Sequence, residues 1–88
     1  MPILELPSIA DDDEINDFLM LVSENVKRIR TQKGVSQFDL ALTIGQKGSG
    51  LIANAEVGAR GKRFNLVHLY KIAKALDVDI RDFFAPKS

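Results

Sequence analysis

Cysteine is absent from this chain, and histidine occurs once, as His68. The first absence excludes disulfides and thiolate chemistry. The second leaves too few ligands for a zinc site. Long apolar runs are also missing: the longest, Phe18–Val22, is far too short to cross a bilayer. No basic residue precedes the apolar N-terminal stretch, so no secretory signal is expected and the cytoplasm is the expected compartment. The glycine-rich stretch from Gly45 to Gly50 lacks the spacing and the Lys-Ser/Thr pair of a phosphate-binding loop. Ser36 and Asp39 have no base placed beside them, so they form no catalytic set. Neither an enzyme nor a cofactor is expected, and no membrane partner.

What is present is enough for one domain: 88 residues, 45% apolar and 27% charged, the proportions of a globular chain. The net charge is zero but unevenly spread. Glu5, Asp11, Asp12, Asp13, Glu14, Asp17 and Glu24 lie in residues 1–24, which hold no Lys or Arg; residues 25–88 then carry twelve basic side chains against five acidic. An acidic segment on a basic body points towards a polyanionic partner.

Residues 1–10, with Pro2 and Pro7, read as an extended arm. Its Ile3, Leu4, Leu6 and Ile9 are too apolar for free solvation, so it is expected to pack on this domain or on a second copy. The acidic run after it is expected to stand away from a polyanion. Asp11 and Glu14 have capping-box spacing, and Ile15, Phe18, Leu19, Val22, Val26 and Ile29 follow at helical intervals up to Gly34. This predicts a long first helix. Ser36 caps a short second helix, 37–44, stopped by Gly45. A third ends near Glu56, before Gly58. Asn65 opens a fourth with Leu66, Leu69, Ile72, Ala73 and Leu76 on one face. Asp79 opens a fifth with Ile80, Phe83 and Phe84, ended by Pro86. The expected fold is a compact, all-α, five-helix domain.

The segments Asn25–Ala41 (NVKRIRTQKGVSQFDLA), Asn54–Gly58 (NAEVG) and Leu69–Phe84 (LYKIAKALDVDIRDFF) occur in the order and spacing of the Cro/repressor-type, or XRE-type, helix-turn-helix family, which the chain resembles from Val22 to Phe84. The resemblance implies a repressor-like domain over 11–88 behind an arm at 1–10. It implies a transcriptional regulator, expected to be a repressor, that binds double-stranded DNA as a homodimer. The alternative is a protein-interaction module, such as an antitoxin or accessory factor. Ala41 then lies where the second and third helices cross. Glu56 is expected to bond a basic partner, with Arg30 the candidate. Asn54 and Ser49 are expected to read base edges beside Gly50, which admits a close backbone. Gln37, Lys47, Arg60, Lys62 and Arg63 are expected at phosphates. Gln46 is also expected among the DNA contacts, in a turn one residue longer than the family's usual spacing. Phe83 and Phe84 are expected at the dimer interface, and His68 is given no role.

Overall fold

The computed structural model describes residues 9–87, so the arm expected at 1–10 lies outside the described residues except for Ile9 and Ala10. Asp11 accepts the Glu14 N–H at 2.8 Å and opens α1, Asp12–Gln32. Asp12, Asp13 and Glu14 occupy its first turn, where the helix dipole favours anions. Burial along α1 begins only at Val22 and continues through Val26 and Ile29. Ile15 and Phe18, expected on the inner stripe, are 45% and 51% exposed. The helix has 21 residues, about 30 Å of length, and its first turns run past the elements that cover the rest.

Gly34 ends α1 at φ +71°, a left-handed backbone that costs glycine nothing, and the Val35 N–H then reaches back to the Arg30 carbonyl at 3.1 Å. Ser36 accepts the Asp39 N–H at 3.0 Å to start α2, Gln37–Thr43. The same wrap closes it at Gly45, with the Gln46 N–H on the Ala41 carbonyl at 2.8 Å. After a six-residue turn, 44–49, comes α3, Gly50–Val57, then a short 3-10 turn at Ala59–Gly61.

Asn65 opens α4, Leu66–Leu76, through a reciprocal cap. Its Oδ1 accepts the His68 N–H at 2.7 Å, and His68 Nδ1 accepts the Asn65 N–H at 3.2 Å. His68 therefore has a structural role that its isolation in the sequence concealed. Partial burial, and then the charge of Lys71, hold its imidazole below the ordinary value of 6.5.

Among the described residues four α-helices form rather than five. The expected fifth is a 3-10 segment, Ile80–Phe84. The run between the left-handed Asp77 and Pro86 is short, and short terminal runs of this kind often take the tighter 3-10 form. Buried Asn25 on α1 holds the segment in place by donating through Nδ2 to the Phe83 and Ala85 carbonyls at 3.0 and 2.9 Å. One core joins the four helices and the last 3-10 segment: Val26 and Ile29 with Leu40, Ala41 and Ile44, Ile52 and Ala55, Phe64, Leu69 and Ile72, and Phe83. Ala41 and Ala55 have no exposed surface, so α2 and α3 approach closely at the crossing. None of the described helices is long and apolar enough to cross a membrane.

Candidate nucleic-acid interface

The α2–α3 pair is set against α1 by one buried polar cluster. Arg30 Nε donates to Glu56 Oε2 at 2.6 Å and its Nη2 to Oε1 at 3.0 Å, while Nη1 donates to the Val35 carbonyl at 2.7 Å. The Glu56 side chain is wholly shielded from solvent. Gln37, the first residue of α2, adds a third donor: its Nε2 reaches Glu56 Oε1 at 3.0 Å. A single carboxylate thus ties the end of α1, the start of α2 and the last turn of α3. In a site of low dielectric such charge-assisted bonds are short and directional, which fixes the angle of α3. The Arg30–Glu56 pair agrees with the sequence reading. Gln37, however, is drawn inward by Glu56, a contact that sequence spacing did not signal.

With Ile52, Ala55 and Glu56 buried, the opposite side of α3 presents Gly50, Ala53, Asn54 and Val57, which recur at i, i+3, i+4 and i+7. Gly50 is exposed, and a Cβ there would meet nothing within 4 Å. Asn54 is half-buried, and its amide makes no hydrogen bond among the described residues. Ser49 precedes the helix without capping it, so its hydroxyl is uncommitted. Val57, 57% exposed, belongs to this face although sequence reasoning passed over it; its place seven residues after Gly50 was the available signal. Gln46 is half-buried in the turn with its N–H already bonded, and Lys47 and Gly48 are exposed beside it.

The loop after α3 supplies cations. Lys62 and Arg60 are exposed and have no ion pair among the described residues. Arg60 adopts φ +55°, ψ +31°, a left-handed backbone that side chains rarely take. Arg63 behaves differently. Its Nη2 donates to Asn16 Oδ1 on α1 and its Nη1 to the Lys62 carbonyl, so it faces α1. Asn16 lies one helical turn from Asp12 and Asp13, so Arg63 links the basic loop to the acid-rich end of α1.

Phe83 and Phe84 were expected to meet a second copy. Phe83 has no exposed surface and fills the core of its own domain, so it cannot touch another chain. Phe84 is half-buried, its ring stacked on Phe18 with centroids 6.2 Å apart. Phe38 and Leu42, 52% and 49% exposed, stay uncovered on α2 among the described residues.

The fold is similar to two solved structures. The restriction-modification controller protein C.AhdI from Aeromonas hydrophila is 32% identical with a TM-score of 0.66, the match covering 78% of this chain and 98% of that one. The hypothetical transcription factor NHTF from Neisseria is 26% identical, also with a TM-score of 0.66, covering 92% of this chain and 87% of that one. No family model and no curated protein sequence matches the chain.

Proposed function

Because the chain belongs to the Cro/repressor-type helix-turn-helix family of transcriptional regulators, we propose that it represses transcription by placing α3 in the major groove of a duplex operator, as a homodimer. One observation supports this reading above the others. The exposed face of α3 carries Ser49 and Asn54, polar groups without a side-chain partner among the described residues, and is flanked by Lys47, Arg60 and Lys62, cations without an ion pair among those residues. Asn54 offers an amide to adenine, and Ala53 and Val57 offer apolar contact to a thymine methyl. The cations suit phosphates, which give affinity without sequence preference. Gln37 acts here as a positioning residue through Glu56, and Arg63 through Asn16.

A lone domain of this size makes few base contacts, so two copies on half-sites roughly 34 Å apart supply the specificity. Val67 and Tyr70, 60% and 58% exposed on α4, are the surface we assign to that contact. Sedimentation checks it: Val67→Asp should stay monomeric where the wild type pairs, and a wild type that is monomeric even on DNA removes the idea. The second reading, a protein-binding module, rests on exposed Phe38 and Leu42, four residues apart on α2.

Titration of duplex DNA at several salt concentrations tests the whole assignment. Lys47→Ala, Arg60→Ala and Lys62→Ala should each weaken binding to all sequences alike and lower the salt slope by about 1. An unchanged slope for all three rejects the docking face. A wild type without salt-dependent affinity favours the protein-binding reading.

A further inference from the structure

Between α1 and α4 lies an open groove of about 250 Å³, lined chiefly by Phe18, Leu19, Val22, Leu66, Leu69 and Phe84. Its rim is conspicuously apolar: Phe18 is 51% exposed and Leu66 72%. One wall also carries Arg63. That guanidinium is half-buried yet meets only neutral acceptors, Asn16 Oδ1 and the Lys62 carbonyl, and no carboxylate among the described residues. Its Nε is shielded from solvent and has no hydrogen-bond partner. The side chain is only partly buried, but its shielded Nε and the lack of a carboxylate partner among the described residues favour an anionic neighbour, so the groove suits an occupant that is apolar and also carries one negative charge.

Residues 1–8 have that composition, with Ile3, Leu4 and Leu6 around Glu5 and no basic side chain. They also join the domain at the right place. The chain bends at Ile9 and Ala10 and enters α1 at Asp12. From there Asn16 is about 6 Å along the helix and Phe18 about 9 Å. The six residues from Glu5 to Asp11 span up to about 20 Å when extended, so the tether reaches both with chain to spare.

We propose that residues 2–8 fold back along α1 and fill this groove within the same chain, the leucines against Phe18 and Phe84 and the Glu5 carboxylate on Arg63. The arm then does more than cover apolar surface. By completing the partners of Arg63 it fastens the loop that carries Arg60 and Lys62 to the first helix, so the position of that loop depends on the arm.

The full chain tests this by NMR with methyl-labelled Ile and Leu. The expected result is cross-relaxation between Leu4 or Leu6 methyls and the Phe18 and Phe84 rings within one chain. A Glu5 carboxyl titrating below the ordinary glutamate value, and returning to it in Arg63→Gln, is expected with it. Arm methyls at random-coil shifts would overturn the proposal. So would cross-relaxation seen only between differently labelled copies, which would make a second chain the occupant. An ordinary Glu5 titration in the wild type would overturn the pairing with Arg63.

Discussion

Arg30 and Glu56 meet at two points across 26 residues of chain, Nε to Oε2 at 2.6 Å and Nη2 to Oε1 at 3.0 Å, with the carboxylate wholly shielded from solvent. Removing one member of such a pair strands the other, a cost of about 3–5 kcal/mol. Glu56→Ala is therefore expected to lower stability by that amount in urea unfolding. The double variant Arg30→Met with Glu56→Leu should recover much of the loss, because it leaves neither charge stranded. A single variant within about 1 kcal/mol of the wild type would contradict the burial of the pair.

Arg60 separates folding from binding. Its left-handed backbone costs roughly 1–2 kcal/mol in any residue with a Cβ, and glycine escapes that cost. Arg60→Gly should leave stability unchanged or raise it, while DNA affinity falls and the salt slope drops by about 1. Thermal melts and salt titrations of the one variant provide both readings. A loss of stability would mean that the side chain supports the fold.

Asn54 is expected to distinguish sequences. Asn54→Ala should cost about 1–3 kcal/mol on the preferred site, found by selection from a random pool, and little on unrelated DNA. Equal losses on both would place Asn54 among the phosphate contacts. No loss on either would remove this face of α3 from the interface.

His68 makes the cap of α4 sensitive to pH. A protonated imidazole cannot accept the Asn65 N–H through Nδ1. Burial and Lys71 hold folded His68 below its ordinary value of 6.5, so the unfolded chain binds the proton more readily. The contribution of this group is full above the ordinary value and is lost as pH falls through the lower folded value. Tm should decline over that window, and His68→Gln, which keeps an acceptor in the cap, should flatten the decline. Identical profiles for the two proteins would exclude His68 as the origin.

The acidic turn of α1 bears on affinity in the same way. Asp12 and Asp13 stand one helical turn before Asn16, which accepts from Arg63, so their charges sit on the end of α1 that meets the basic loop, and low salt screens them least. Neutralising both with Asn should strengthen binding to any duplex, most at low salt. An unchanged affinity at low salt would place that turn clear of the phosphates.

Residues near one another in sequence determined the helix boundaries. Asp11, Ser36, Asn65 and Asp79 each accept an N–H two or three residues ahead, as their types and positions foretold, since a cap involves only its own first turn. The helical repeat of apolar residues likewise located most of the core, and the order of the segments Asn25–Ala41, Asn54–Gly58 and Leu69–Phe84 carried the family resemblance. Tertiary structure decided the rest. It turned Gln37 inward to Glu56, took Arg63 to Asn16, buried Phe83 and left Ile15 and Phe18 about half exposed. It also put Val57 on the open face of α3 and tightened the last helix to 3-10 around Asn25. Each of these outcomes depends on the angle at which one helix crosses another far along the chain. Periodicity records which side of a helix is apolar, but not how far a neighbour extends to cover it.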